Sequence, residues 1–307
     1  MPGTCQAEAH EEVQKVDLSL GPIDAGKALF LGTLLPPLAV RLFGVPEGYA
    51  EIVSVVGLLA VAVQLAWSKG LSLKKVFHVN HVRNPDYGYL PIIGVGLISL
   101  ELLLIQGIDW LLGGRLAEWI ELFPSHDMPD SLIGSILVLV VLVPVAEELL
   151  FRGFFVTAFS QWGSGWAVIF PSIVFALLHH PLKIAGAFIM AVMAAVSLIH
   201  YQSVVPAVLM HAASNLFVRL IAEFHELVES PLAEVFCVGT RVAFVALAFV
   251  FRSRLVWFWH EFRKLWREFT EKPQFGLRFR ALLKHWSWIL IFIFLGISFL
   301  GVAFSFF

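Results

Sequence analysis

Two adjacent glutamates followed by an arginine are the residues of this sequence with the clearest potential for chemistry. Glu147, Glu148 and Arg152 follow the stretch 131–143, thirteen residues that carry no charge. If this stretch crosses a membrane, each ion near the bilayer centre costs roughly 2.5–3.5 kcal/mol. Nothing in the local sequence requires that cost for structure. We therefore expect a functional site here, with partners on neighbouring spans.

Helical spacing separates the roles of the two glutamates. Glu148 and Arg152 stand at positions i and i+4, which predicts an ion pair on one face of a helix. Glu147 is rotated by about 100° from Glu148, so its carboxylate is expected to face a different neighbour.

Two later segments supply imidazole and amide groups at the same helical spacing. Phe175 and His179 are four residues apart, which would let the ring pack against the imidazole, and His211 and Asn215 repeat that spacing. A carboxylate with a histidine can deprotonate water, and a histidine with an asparagine can donate hydrogen bonds to a developing oxyanion. No serine or cysteine is placed as an obvious nucleophile, so this set of residues favours amide hydrolysis by water. His180, at the helix end, is expected to lie outside the site.

Counting along the chain places these groups at a similar depth. The turn 163–165 makes the flanking segments antiparallel neighbours, and Glu147 and His179 then both lie about 20–24 Å from it in straight helices. Counted from the turn before their own helix, His211 and Asn215 lie about 12–18 Å deep. We expect all four side chains to share one polar cavity.

The composition is that of a polytopic membrane protein. Hydrophobic residues make up 59% of the 307 residues, charged residues make up only 14%, and the mean hydropathy is +0.83. A soluble globular chain carries about 25% charged residues. Cys5 and Cys237 form no metal-ligand pattern and are expected to be structural, and the polar segment 1–24 shows no signal-peptide pattern.

The apolar runs predict an all-α bundle of about eight to nine membrane spans. Each run is much longer than the 9–11 residues of a barrel strand and does not alternate. Gly94 and Gly96 lie inside one run and are expected to let helices pack closely. The predicted spans are 25–43, 50–67, 89–112, 131–161, 165–182, 184–200, 204–222, 232–251 and 286–307.

The distribution of Lys and Arg predicts the orientation in the membrane. Segments 68–88 and 252–285 are basic and fall on the same side, whereas the loops 113–130 and 223–231 are acidic. The positive-inside rule then places the N-terminus and both basic segments in the cytoplasm, with a bacterial inner membrane as the expected location. Segment 252–285 also interleaves aromatic residues with its charges. That pattern favours an amphipathic helix on anionic headgroups over a nucleic-acid-binding element.

We expect the chain to have four parts. A polar cytoplasmic N-terminus occupies 1–24, and the membrane bundle 25–251 holds the chemistry at about 130–220. The basic aromatic segment 252–285 lies at the cytoplasmic interface, and 286–307 forms a C-terminal transmembrane helix.

The three motifs, in this order, resemble those of the CPBP family. These are the CAAX proteases and bacteriocin-processing enzymes, also called type II CAAX prenyl endopeptidases or the ABI family. The resemblance implies an intramembrane endopeptidase that acts on a membrane-associated protein or peptide. It covers about 130–220 and rests on the motifs Glu147-Glu148-x-x-x-Arg152, Phe175-x-x-x-His179 and His211-x-x-x-Asn215.

The resemblance also implies roles for the site residues. Glu147 would be the general base, and His179 would help to activate water. His211 and Asn215 would form the oxyanion site. The supporting residues, which would brace the helices, are Glu148, Arg152 and Phe175.

The resemblance implies a metal-free mechanism, so no cofactor is expected. The residues alone leave zinc open, because Glu147, His179 and His211 would also satisfy a catalytic zinc with an open position. Against zinc, the sequence has no His-Glu-x-x-His helix.

Two other functions are compatible with the same residues. A non-catalytic membrane immunity or scaffold protein would keep the motifs as structure, and a proton-coupled transporter would use the buried Glu and His side chains as a relay. A transporter predicts repeated sets of spans, and no such repeat stands out in the sequence. The expected partners are membrane lipids and a membrane-associated protein or peptide substrate, with no nucleic acid.

Overall fold

The computed structural model describes residues 20–44, 50–80, 82, 86–114, 132–228, 230–271 and 274–304. Within these ranges the regular elements are helices and there is no strand, which confirms the predicted all-α class. Most of the polar segment 1–24 and most of the acidic loop 113–130 lie outside the described residues.

Twelve helices follow one another through the described part of the chain. The fifth is continuous over 29 residues, although its backbone hydrogen-bonding pattern changes along the way. In chain order the helices are α1 (Pro22–Phe43), α2 (Ala50–Ser68), α3 (Leu73–Val76), α4 (Tyr89–Leu111), α5 (Leu132–Ser160), α6 (Ser164–Leu177), α7 (Ile184–Tyr201), α8 (Val205–Leu227), α9 (Pro231–Val250), α10 (Arg252–Thr270), α11 (Gln274–Leu283) and α12 (Trp286–Phe304).

The helices make the chain an integral membrane protein. Among the described residues, five helices are long and apolar enough to cross a membrane, namely α4, α5, α8, α9 and α7 with the short turn before it. The number becomes six if α11 and α12, which meet at 91°, count as one broken span. The predicted eight to nine spans are therefore approximate, because two predicted segments form the shorter apolar helices Ile52–Ser68 and Ser164–Leu177.

Helix α6 ends earlier than predicted because of Pro181. The residue before a proline is pushed towards extended backbone, and His180 has φ −53° and ψ 139°. The backbone N–H of Leu182 donates to the His180 side chain at 3.2 Å, which closes the turn into α7. His179 consequently lies just beyond the end of α6, in the connection.

Helix α5 is wider than an α-helix at two places. Leu137–Leu142 and Leu149–Phe155 are π-helical, so backbone hydrogen bonds there reach five residues back. The N–H of Val143 bonds in this way, but the following Pro144 has no N–H to offer to the carbonyl of Leu139. The proline therefore leaves the Leu139 oxygen without its intrahelical donor, two turns before the two glutamates.

Helix α4 packs closely against α8 and α9 at two glycines. A side-chain carbon on Gly94 would lie 2.7 Å from Met210 Cγ and 2.9 Å from Ser214 Oγ, and one on Gly96 would overlap with Ala248. Because only a hydrogen fits at either position, the backbones approach closely, as predicted. The first of these contacts fixes α8, the helix that carries the third motif.

Helix α10 packs its apolar face against the protein itself. A side-chain carbon on Gly165 of α6 would lie 2.6 Å from the Leu265 carbonyl oxygen and 2.7 Å from the Phe269 nitrogen, so the two backbones nearly touch. Leu265 and Phe269 are buried, whereas Arg263 and Arg267 on the opposite face are exposed. The helix is amphipathic: protein covers the side that carries Leu265 and Phe269, whereas the basic side is uncovered and is flanked by the exposed Trp259 and Trp266.

The two basic segments contact each other. Arg254 in α10 forms an ion pair with Asp86, and its guanidinium carbon lies 4.9 Å from the ring centre of Tyr89. The Asp86 carbonyl also accepts a hydrogen bond of 2.6 Å from the Tyr201 hydroxyl. These contacts bring the two basic segments to the same end of the bundle, in agreement with the distribution of Lys and Arg.

A buried histidine, His78, lies at this end of the bundle. His78 has a left-handed backbone (φ 50°), and its Nε2 lies 3.0 Å from Thr157 Oγ1 on α5. The Thr157 hydroxyl donates its only hydrogen to the Val76 carbonyl, so it accepts from the Nε2–H of His78. Burial lowers the pKa of His78 to about 4, which keeps the ring neutral at pH 7.

We expect acid to destabilise the protein through His78. Its pKa is about 4 in the folded protein and 6.5 when unperturbed, so the stability it contributes is complete above pH 6.5 and is lost as the pH falls towards 4. The full loss is about 3 kcal/mol. The measurement compares melting temperatures of the wild type and His78→Asn against pH, since asparagine tolerates the left-handed backbone. Equal acid sensitivity of both proteins would contradict this expectation.

Candidate active site

The carboxylate of Glu148 joins helices α5 and α8. Its Oε2 lies 3.0 Å from Arg152 Nε, one turn further along α5, and its Oε1 lies 2.9 Å from His211 Nδ1 on α8. Only 1% of the Glu148 side chain and 3% of the Arg152 side chain are exposed. The ion pair that the spacing predicts is present, and the bond to His211 is an addition that the sequence reasoning missed. Because an ionised carboxylate only accepts hydrogen bonds, His211 Nδ1 carries a hydrogen.

Glu147 faces the other nitrogen of the same histidine. Its Oε2 lies 3.8 Å from His211 Nε2, and 21% of its side chain is exposed, in contrast to the buried Glu148. The two adjacent carboxylates thus contact opposite sides of one imidazole, in keeping with their different directions around α5. At 3.8 Å the two atoms are too far apart for a direct hydrogen bond, but one water molecule can bridge them.

The ring of Phe175 contacts the other groups of the site. Its centre lies 4.3 Å from the guanidinium carbon of Arg152, 4.5 Å from the centre of the His179 ring and 6.2 Å from that of His211. The predicted packing of Phe175 against His179 is confirmed. The Arg152 guanidinium and the imidazoles of His179 and His211 therefore all pack around the ring of Phe175.

His179 is oriented by the backbone of the preceding helix α6. Its Nδ1 lies 2.8 Å from the carbonyl oxygen of Phe175. A carbonyl can only accept, so Nδ1 carries the hydrogen and Nε2 of the neutral ring keeps a lone pair. His179 therefore presents a hydrogen-bond acceptor away from α6.

Asn215 bonds to the carbonyl that Pro144 leaves without a donor. The Nδ2 of Asn215 donates to the Leu139 oxygen at 2.8 Å, which ties α8 to the π-helical part of α5. Sequence reasoning missed this bond, although a proline inside an apolar span signals an unpaired carbonyl upstream. The second N–H of the same amide can serve another acceptor.

Arg219 continues the row of α8 side chains that contact α5. Its Nε donates to Ser135 Oγ at 2.9 Å, and its guanidinium forms an ion pair with Glu223 one turn further on. His211, Asn215 and Arg219 are spaced by four residues and so lie on one face of α8. Sequence reasoning also missed Arg219, although a cation inside an apolar span is a signal in itself.

The donor atoms of the site are not arranged as a metal centre. Among the described residues, no three His, Cys, Asp or Glu side chains form a group that could hold one metal ion. Glu147 and His211 face each other, but His179 is turned by its bond to the Phe175 carbonyl. The three side chains that would bind zinc do not converge on one ion in this geometry.

Comparison with known protein families finds a similarity in the central part of the chain. Residues 129–217 match the family model described as Type II CAAX prenyl endopeptidase Rce1-like. The match covers 89 of the 307 residues. The matched segment runs from the start of α5 into α8 and contains every predicted site residue, which are Glu147, Glu148, Arg152, Phe175, His179, His211 and Asn215.

The match confirms the resemblance to the CPBP family, and the description of the matched family names an endopeptidase. No curated protein and no solved structure matches the chain. Helices α1–α4 and α9–α12 lie outside the matched segment.

Replacing Glu148 by glutamine should strongly destabilise the protein. The change leaves Arg152 buried without its counter-ion, and breaking a buried pair in this way costs about 3–5 kcal/mol. Melting of the detergent-purified proteins measures the effect. The matched control is Glu147→Gln, the same chemical change one residue away on a partly exposed carboxylate, which should leave the melting temperature nearly unchanged. Equal melting of the two variants would contradict this assignment of Glu148.

Proposed function

We propose that the protein is an intramembrane endopeptidase in which Glu147 activates the attacking water. The observation that carries the proposal is the pairing of two adjacent carboxylates with one imidazole. Glu148 holds His211 Nδ1 at 2.9 Å, and Glu147 faces its Nε2 at 3.8 Å. One carboxylate is buried between fixed charge partners, and the other is partly exposed, where a substrate can reach it. Because Glu148 is buried and paired, we assign the proton transfer to Glu147.

The proposed reaction consists of two proton transfers and one nucleophilic attack. Glu147 Oε2 removes a proton from water, the water oxygen attacks the carbon of the scissile amide, and the amide oxygen becomes an oxyanion. In this proposal His211 carries a hydrogen on both nitrogens. Its Nε2–H donates a hydrogen bond to the oxyanion, and the second N–H of the Asn215 amide donates another. When the C–N bond breaks, the proton on Glu147 passes to the leaving nitrogen. The products are a new carboxyl terminus and a new amine.

His179 has the role of orienting the water. Its Nδ1–H is held by the Phe175 carbonyl at 2.8 Å, so its Nε2 is available as an acceptor. An acceptor that binds the second hydrogen of the water directs the oxygen lone pair towards the amide carbon. Phe175 stabilises this orientation because its ring packs against the imidazole.

The proposed substrate is a membrane-associated protein or peptide that approaches from the lipid. Two turns of α5 that lead to Glu147 expose the apolar side chains of Leu137, Val141 and Val145, spaced by four residues. A lipid chain attached to a peptide can lie along such a stripe with little loss of apolar contact. The matched family is described as a prenyl endopeptidase, which makes prenylated peptides with a CAAX terminus the first class to assay.

We place the N-terminus and α10 on the cytoplasmic side of a bacterial inner membrane. The support is the basic character of the two segments 68–88 and 252–285, which contact each other through Asp86 and Arg254, together with the positive-inside rule. In this orientation anionic headgroups face the exposed cations of α10, which are Arg263, Lys264 and Arg267.

Glu147→Gln should remove peptide cleavage while the protein stays folded. Glutamine keeps the shape of the side chain but cannot take a proton from water, so we expect kcat to fall about 10²–10⁴-fold. The assay follows a prenylated CAAX peptide by mass spectrometry in detergent or nanodiscs. Glu261→Gln, the same change on α10, is the control and should cleave at the wild-type rate. Undiminished cleavage by Glu147→Gln would exclude Glu147 as the base.

Chelation should leave cleavage intact. In the proposed mechanism Glu147 and His179 act on water directly, so the purified protein should contain much less than one equivalent of zinc and a strong chelator should change kcat little. Metal analysis and cleavage before and after chelation, with zinc added back, measure this. One equivalent of zinc, with activity lost on its removal and regained on its return, would replace this mechanism with a zinc-dependent one.

A further inference from the structure

Glu101 is a partly buried carboxylate in the middle of a membrane span, and the proposed chemistry does not use it. It is the thirteenth of the 23 residues of α4, whose other acid, Asp109, lies near the helix end. Among the described residues, its Oε1 is buried without a hydrogen-bond partner. An ionisable group at this depth is a functional-site hypothesis by default.

The carboxyl group of Glu101 rests on the first turn of α7. It packs directly against the backbone of Gly186. Gly186 is the third residue of α7, where backbone N–H groups have no acceptor within the helix. A methyl group at position 186 would overlap with the carboxyl carbon and both oxygens. The carboxyl group of Glu101 therefore covers the first turn of α7 from a neighbouring helix. We call this packing contact the cap, and it requires glycine at position 186.

A short and restricted connection joins the capped turn to His179. Four residues separate His179 from the start of α7, and they form a hydrogen-bonded turn. The N–H of Lys183 bonds to the His180 carbonyl at 2.8 Å, and the N–H of Leu182 bonds to the His180 side chain at 3.2 Å. Pro181 restricts the backbone further. A shift of the first turn of α7 is therefore transmitted to His179.

The same helix α4 also fixes the other histidine of the site. Its Gly94 packs against Met210 and Ser214 of α8, the first of which directly precedes His211. Helix α4 thus contacts both elements that carry the imidazoles, although it lies outside the matched segment 129–217.

We propose that Glu101 is a positioning residue of the active site, which sets the place of His179 relative to His211 by capping the first turn of α7. The inference rests on the proposed function, in which the two histidines act on one water and one amide carbonyl. Loss of the cap moves one imidazole and removes no catalytic group. Small misplacements of this kind lower turnover strongly, while substrate affinity changes little.

The test measures kcat and KM for cleavage of the prenylated CAAX peptide, and hydrogen exchange of the segment 177–186. Gly186→Ala and Glu101→Ala should each lower kcat about 10- to 100-fold with KM changed less than about threefold, and should raise exchange in 177–186. Glu101→Gln keeps the shape of the side chain that packs against Gly186 and should recover most of kcat. Gly107→Ala, at a glycine of the same helix with nothing within 4 Å, is the matched control and should behave as wild type.

Two further results separate positioning from a purely structural role. The double variant Glu101→Ala with Gly186→Ala should be no slower than the slower single variant, because both changes remove one contact. A purely structural Glu101 would lower the melting temperature and leave kcat of the folded protein unchanged, and that result would overturn the proposal. If the wild type cleaves nothing, the proposed function fails, and exchange in 177–186 alone then supports or overturns the cap. If Glu101→Ala does not fold, Gly186→Ala carries both measurements.

Discussion

The buried carboxylate of Glu148 is the interaction on which the rest of the site depends. Its two oxygens serve Arg152 and His211, and with 1% of the side chain exposed, water cannot replace either partner. Removing an ion from water costs several kcal/mol even after relaxation, so the carboxylate is stable only while both partners stay in place. The contact consequently fixes α5 against α8. It also fixes which nitrogen of His211 faces Glu147.

The backbone of α5 supplies a second constraint that complements the first. Pro144 and the π-helical turns leave the Leu139 carbonyl without an intrahelical donor, and the amide of Asn215 provides one at 2.8 Å. Arg219 and Ser135 repeat the pattern one turn further along α8. In a membrane an unpaired polar group costs several kcal/mol, so these bonds lock the register of the two helices. The proline and the π-helical turns of α5 therefore help to position the residues of the site.

Contacts within one helix could be predicted from the sequence, whereas contacts between helices could not. The four-residue spacing predicts the pairs Glu148–Arg152 and Phe175–His179, because helical geometry alone makes those residues neighbours. The bond from Glu148 to His211 depends on the rotation of α5 against α8, which the π-helical turns change and residue spacing does not report. Hydropathy likewise predicts the apolar segments. It does not predict that a proline shortens α6, or that protein covers the apolar face of α10.

The most direct measurement is an experimental structure of Glu147→Gln in lipid nanodiscs, bound to an uncleaved prenylated CAAX peptide. We predict that the scissile carbonyl oxygen lies within hydrogen-bond distance of His211 Nε2. A water molecule should lie between the side chain of residue 147 and His179 Nε2, on the face of the amide carbon. A peptide whose scissile bond lies away from the α5–α8 interface, or a metal ion held between these side chains, would contradict a site in which Glu147 activates water directly.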